Sequence, residues 1–325
     1  MKQRNLALGV DIGGTKVAAG LVDGRTGKIY VQVKLPMTAC GAPRDGLSAV
    51  RAAIDRLLQD AAIGIRDVLG IGLCAPGPLD PRRGVVINPP NVPCWRDFPL
   101  AAEVSKIYGR GAKLDNDANA AALAETIWGA GRGYRNIFYV TIGTGIGTGI
   151  LLDGEILHGR TGAAGEGGHV SIDYRGPKCA CGKHGCIEAL AAGPAIARAA
   201  REAAQVRPQE AKVLLEIAGG NSRAITSEMV GLAYANGDQA AQQVLTQTML
   251  YLSCWLGNII DLLEPEVIIV GGGVSPMLKP LLKDLGKQLP RYCENQRAGE
   301  TPIVTAHFGE SAGIAGAAAL CIDRG

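Results

Sequence analysis

One structural phrase occurs twice in this chain, and it limits the possible folds more than any other feature. Residues Leu6–Ile12 read as a buried strand running into a Gly-Gly turn, Val17–Val22 as a second strand, and Asp23-Gly24 as a tight turn leading to Lys28–Val33. Residues Ile137–Ile142 read as a strand, Gly143–Gly149 as a Gly/Thr turn, and Ile150–Leu152 as a strand ending in Asp153-Gly154. A shift of 130 positions lays Gly13 on Gly143, Leu21 on Leu151, Asp23 on Asp153 and Gly24 on Gly154. Internal duplication accounts for the match; two unrelated hairpins in a glycine-rich chain are the alternative.

Between and after these segments, helical and strand patterns alternate. Gly46–Leu58 and Leu100–Tyr108 have helical spacing, and Val68–Leu73 is a strand entering the rigid Ala75-Pro76-Gly77-Pro78 loop. Gly193–Leu245 is helical and alanine-rich, and Thr246–Leu263 is a long buried helix. Val267–Val270 and Ile303–Ala306 are strands, and Ser311–Leu320 is a small-residue helix. The alternation predicts an α/β protein with buried sheets. With 325 residues there is room for two domains. The expected division is 1–116 plus a returning helix 311–325, and 117–310.

Composition excludes several classes. Hydrophobic residues are 47% of the chain, too many for disorder, and 33 basic against 30 acidic residues give only +3. That balance argues against a nucleic-acid or membrane-surface partner. No signal peptide is expected, because Asp11 interrupts the first apolar run, and no stretch approaches ~18 apolar residues. A cytoplasmic protein with free thiols follows. Nine cysteines then suggest a metal site and not disulfides. Forty-six glycines are about twice the usual share of roughly 7%, and they fall between apolar runs as turns and close approaches do.

Five constellations carry chemistry. Asp11-Ile12-Gly13-Gly14-Thr15-Lys16 offers backbone N–H groups and a hydroxyl to a polyphosphate, with Asp11 able to hold Mg²⁺ through water. It lacks the P-loop spacing, and a strand follows it where a dinucleotide fingerprint has a helix. Thr141-Ile142-Gly143-Thr144-Gly145-Ile146-Gly147 repeats the design. Asp117, in Asp115-Asn116-Asp117-Ala118-Asn119, sits at the start of a helix Ala118–Trp128, either as an N-cap or as a base favoured in its charged form by the helix dipole. Cys179, Cys181 and Cys186 are spaced to close on one Zn²⁺, with His169 or His184 as the fourth ligand. Gly271-Gly272-Gly273 after a strand lets backbone approach a flat ligand such as adenosine.

Together these residues resemble the ROK family of bacterial sugar kinases, regulators and open reading frames, over nearly the whole chain. The most specific part is Glu166-x-Gly-His169 followed by Cys179-x-Cys181-Gly-x₂-Gly-Cys186-x-Glu188. The resemblance implies the two-domain actin/hexokinase/Hsp70-type ATPase (ribonuclease H-like) α/β fold with an interdomain cleft. It implies Asp117 as the general base and Asn116, Glu166, His169 and Glu188 as partners of the sugar hydroxyls. It implies His169, Cys179, Cys181 and Cys186 as ligands of a structural zinc, which sets His184 aside. Phosphates would lie on Asp11, Gly13, Gly14, Thr15 and Lys16 and on Thr141, Gly143, Thr144 and Gly145, with the adenine side on Gly271 and Gly272. The loops holding Gly77 and Asn91 resemble the glucokinase branch. Cys94, where many relatives have glycine, and Gly167, where a branched residue is common, depart from the pattern.

The expected activity is therefore transfer of the ATP γ-phosphate to a hexose, with glucose first and fructose, N-acetylmannosamine and N-acetylglucosamine as alternatives. A sugar-responsive repressor of the same family is the competing class; the strand pattern within the ten or so residues before Gly13 counts against a helix-turn-helix there. A homodimer or homotetramer is expected by resemblance.

Overall fold

The structure, a computed structural model, describes residues 5–323. Contacts gather the chain into two compact units. The first takes the chain up to Ile137, Gly149–Gly165, and the stretch from Ala306 onward; the second takes Phe138–Thr148 and Glu166–Thr305.

Twelve strands are present among the described residues: β1 Leu6–Ile12, β2 Lys16–Asp23, β3 Ile29–Pro36, β4 Val68–Ala75, β5 Leu79–Asp80, β6 Val85–Val86, β7 Ala112–Asn116, β8 Ile137–Ile142, β9 Ile146–Leu152, β10 Glu155–Ile156, β11 Val267–Gly271 and β12 Ile303–Thr305. They form two five-stranded sheets of one plan, β3-β2-β1-β4-β7 and β10-β9-β8-β11-β12, and a small β5-β6 ribbon. In each large sheet three consecutive strands are joined by short turns, and the fourth and fifth arrive on the other side of the first. β1 pairs antiparallel with β2 and parallel with β4, and β11 pairs parallel with β12. Parallel pairs need long crossovers, and the helices Pro43–Ala61 and Leu100–Tyr108 supply those of the first sheet.

Burial explains which strands were readable. β1 and β4 are buried almost throughout and appear in the sequence as largely apolar runs, broken in β1 only by Asp11. β7 is an edge strand in which only Leu114 and Asp115 are buried, and sequence reasoning passed over it. The long helix runs Gln239–Leu263, starting earlier than its apolar run suggests. Asp238 sets that start: its Oδ1 accepts the Ala241 N–H at 2.9 Å and its Oδ2 the Leu214 N–H at 3.0 Å.

The two sheets pack differently. The helix Ala312–Ala319 lies so close to β1 and β4 that a Cβ at Gly9 would collide with the Ile314 carbonyl, and one at Gly72 with that of Ala317. On β8, Phe138 instead meets Trp255 of the long helix edge-to-face, with centroids 5.5 Å apart. No helix among the described residues is long and apolar enough to cross a membrane.

Candidate functional site

Strand register assembles the polar groups of the first unit. Asp11 of β1 pairs with Cys74 of β4, and Cys74 with Asp115 of β7, so three polar residues form one row across adjacent strands. All three strands end just beyond it, where parallel sheets place ligands. Burial raises the Asp11 pKa above the usual carboxylate value, against the pull of Cys74, Lys16 and Lys34. Burial also pushes the Cys74 thiol well up, so it stays protonated and faces Asp11 Oδ1 at 3.6 Å and the Gly313 carbonyl at 3.3 Å.

After Asp11 the chain turns, with the Gly13 N–H donating to Lys16 O at 2.9 Å, and Thr15 and Lys16 are exposed. Asn91 is exposed in a loop whose carbonyl lies beside Gly14. Buried Val92 and Trp95 anchor that loop, the Trp95 indole donating to Pro43 O at 3.1 Å. Gly77 precedes Pro78 through a cis peptide. Cys94, one of the two departures from the family pattern, is buried with its thiol 3.7 Å from Thr38 O, so it belongs to the packing under the loop.

The next strand end carries the candidate base. Asn116, not Asp117, is the N-cap of the helix Asp117–Trp128: its Oδ1 accepts the Ala118 N–H at 2.9 Å. Asp117 is the first helical residue, is exposed, and has its own Oδ1 2.8 Å from the same N–H. The capping reading of Asp117 is therefore corrected, since its neighbour performs that task. Helix geometry aims the Asp117 carboxylate outward at the positive end of the helix dipole.

In the second unit the repeated turn is held from below. The Gly143 N–H donates to Gly145 O at 2.9 Å and the Gly193 N–H to Gly143 O at 2.8 Å, while Glu188 Oε2 accepts the Ile146 N–H at 2.9 Å. A Cβ on Gly145 would sit 2.5 Å from that carboxylate oxygen. Thr141 is half-buried and Thr144 exposed. After Gly271, Gly272 takes a φ of +87° with its backbone against Ile142, and the Val274 N–H reaches Ile142 O at 2.9 Å. Beside these turns lies a cavity of about 510 Å³ lined by Gly143, Thr144, Arg201, Thr226, Glu228 and Gly273. Its size suits a nucleotide-like ligand. Sequence reasoning missed Arg201, Thr226 and Glu228, which lie far along the chain from either glycine turn. The available signal was Thr226, whose hydroxyl caps a helix by accepting the Met229 N–H at 3.3 Å and holds the Glu228 carboxyl below its usual pKa.

The cysteine loop folds back on Glu166–His169. One donor atom from each of His169, Cys179, Cys181 and Cys186 falls within 4.8 Å of all the others. Cys181 and Cys186 sulfurs are 3.7 Å apart, and His169 Nδ1 is 3.6 Å from the Cys179 sulfur. A tetrahedral zinc with Zn–S bonds of about 2.3 Å needs sulfurs ~3.8 Å apart, so donor set and spacing fit that ion. His184 is exposed and outside the group; its carbonyl accepts the Ser171 hydroxyl at 2.7 Å. Glu188 Oε1 lies 3.8 Å from His169 Nδ1, so one carboxylate joins the cluster to the repeated turn. Glu166 is exposed and accepts the His169 N–H through its carbonyl at 3.0 Å. Gly167, the second departure, is buried; its N–H donates to Thr148 Oγ1 at 2.9 Å and its carbonyl accepts from the Trp255 indole at 3.1 Å. A branched side chain there would run into Thr148.

Known proteins resemble this chain in sequence and in fold. The chain is 34% identical to a glucokinase of Streptomyces coelicolor over 97% of each chain. It is 32% identical to an N-acetylmannosamine kinase of Shigella boydii, over 96% of this chain and 97% of that one. Among solved structures, a ROK family glucokinase from Streptomyces griseus in complex with glucose and AMPPNP matches with a TM-score of 0.80 and 33% identity, over 97% of this chain and 99% of that one. The fold is the mixed α/β actin/hexokinase ATPase type, and the chain is a sugar kinase, an enzyme that transfers a phosphoryl group to a sugar hydroxyl. The sequence model of the ROK family matches residues 7–324, and the chain belongs to that family.

Proposed function

We propose that the protein is an ATP-dependent glucokinase, converting glucose and ATP to glucose 6-phosphate and ADP. The observation that carries this reading is the exposed Asp117 carboxylate, two residues beyond the Asp11–Cys74–Asp115 row and at the first position of a helix that Asn116 caps. Glucose is preferred because the nucleotide-bound structural relative described above holds it and the curated relative is named for it.

Phosphoryl transfer asks mainly for positioning and charge stabilisation. Asp117 accepts the proton as the sugar oxygen forms its bond to the γ-phosphorus and the bond to the β-phosphate oxygen breaks, leaving ADP. Asn116, Glu166, His169 and Glu188 orient the sugar hydroxyls. His169 turns Nδ1 to the cysteines, which leaves Nε2 for a hydroxyl. The turns at Gly13–Lys16 and Gly143–Gly145 bind phosphate oxygens, and Gly271–Gly272 flank the adenosine. Asp11 would hold a Mg²⁺ ion, which neutralises charge on the phosphates. A zinc on His169, Cys179, Cys181 and Cys186 would be structural, fixing His169 and Glu188.

Coupled ADP release across a hexose panel, with ATP and polyphosphate as donors, tests the assignment. Glucose should give the highest kcat/KM with ATP. A preference for N-acetylmannosamine would replace glucose, and sugar-dependent DNA binding without ADP release would replace the kinase. Metal analysis of the purified protein should find one zinc per chain, lost together with sugar affinity in Cys181→Ser.

A further inference from the structure

The first unit contains a second cavity that the proposed reaction does not use. It has a volume of about 530 Å³ and lies along the open edge of β7, between the Pro81–Gly84 turn, the helix Leu100–Tyr108, the Glu155–His158 segment and the end of the last helix. Pockets of this size take small organic ligands. Its floor is apolar, with Ala101, Leu114, Leu123 and Leu320, and its charged lining is Arg82, Arg83, Lys113, His158, Asp115 and Glu155.

The charges are unevenly satisfied. Asp115 is 2% exposed and fully engaged: Oδ2 lies 2.7 Å from His158 Nε2, and Oδ1 accepts the Asn116 N–H at 2.7 Å and the Asn119 amide at 3.1 Å. Glu155 also has a partner. The cations differ. Arg82 donates to a carbonyl, Gly159 O at 3.1 Å, and among the described residues no carboxylate forms an ion pair with Arg82, Arg83 or Lys113. Three cations, none of them in an ion pair, outnumber the two carboxylates of this concave, partly apolar surface and bias its potential positive. Guanidinium groups match the oxygens of a phosphate two at a time.

We propose that this cavity binds a small phosphate ester and that its occupancy reaches the catalytic loop through His158 and Asp115. The phosphate takes Arg82, Arg83 and Lys113, and the body of the ester covers the apolar floor. His158, in the wall, has its Nε2 committed to Asp115, and Asp115 in turn holds the backbone N–H of Asn116, the residue that caps the Asp117 helix. A ligand that moves the imidazole therefore perturbs the support of Asn116 and Asp117 without touching either. The binding claim is independent of which sugar the enzyme phosphorylates.

The chain has four histidines, so each ring Cε1–H can be followed by NMR in the intact protein. The His158 resonance is identified by its loss in His158→Gln, and inorganic phosphate, glucose 6-phosphate and glucose are the probes. Glucose 6-phosphate should move the His158 signal saturably, phosphate should do so more weakly, and glucose should not. The double variant Arg83→Gln/Lys113→Gln should abolish the shift and retain the turnover measured without added ester. In wild type, saturating glucose 6-phosphate should change turnover about fivefold or more beyond the product inhibition seen in the double variant. An unmoved His158 signal, or the same shift in both proteins, overturns the site. A shift lost in the variant without the extra change in turnover overturns the coupling.

Discussion

The two five-stranded sheets have the same strand order but meet their helices in opposite ways. The first admits the helix Ala312–Ala319 at backbone distance, because Gly9 and Gly72 have no side chains to hold it off. The second has Tyr139 where the shift of 130 places Gly9, and Phe138 beside it packs on Trp255. The turns differ in the same spirit. Asp11 falls on Thr141, so one turn follows a carboxylate suited to a cation and the other a hydroxyl suited to phosphate oxygens. The two sheets share a backbone plan, while their side chains differ in chemistry and set how near the covering helix can come. Close approach has a functional consequence in the first sheet: Gly313 of that helix abuts the Asp11 carboxyl, which is why it is desolvated.

The comparison can be broken in several ways. The largest effect is expected at the group found only in the first unit. Asp117→Asn should fold and bind sugar but lose roughly 10²–10⁴-fold in kcat, the scale of a general base; near-normal turnover in a steady-state assay would sink that role. Phe138→Ala should destabilise the protein by about 3–5 kcal/mol, read from urea melts, because an aromatic cavity opens beside Trp255. Gly72→Ala should cost about 1–3 kcal/mol by the opposite mechanism, overpacking, and should also lower kcat/KM by displacing the helix beside Asp11. If it melts like wild type, the backbone approach in the first sheet is looser than described.

The smallest effect changes sign. The folded state raises the pKa of Asp11, so it binds this proton more tightly than the unfolded chain. The charged carboxylate then disfavours folding, increasingly as pH climbs from the unfolded value of 3.8 through the raised folded one, and the loss persists above it. Asp11→Asn should remove that loss, raising the melting temperature by about 2 °C at neutral pH while lowering turnover with MgATP. A lower melting temperature in calorimetry would contradict the desolvation account.

Buried, repetitive or covalently constrained features were legible in the sequence. β1, β4, β8 and β11 are dominated by apolar residues, and the close spacing of the three cysteines suggested a shared site. Edge and capping features were not. β7 has one exposed face and reads as nothing in particular, yet it aligns Asp115 and Asn116 with Cys74. Asn116 and Asp117 are both good caps, and only the backbone shows which of the two is spent on the helix.

By itself the sequence determined the α/β alternation, the duplicated glycine turns and the cysteine–histidine–glutamate loop, because local periodicity and spacing act over a few residues. Tertiary structure alone decided that His169 lies within reach of all three cysteine sulfurs, that Asn116 and not Asp117 takes the N-cap position, and that Arg82, Arg83 and Lys113 line one cavity. Those outcomes depend on strand register and long-range packing, which bring together residues separated by tens to hundreds of positions and leave no local pattern behind.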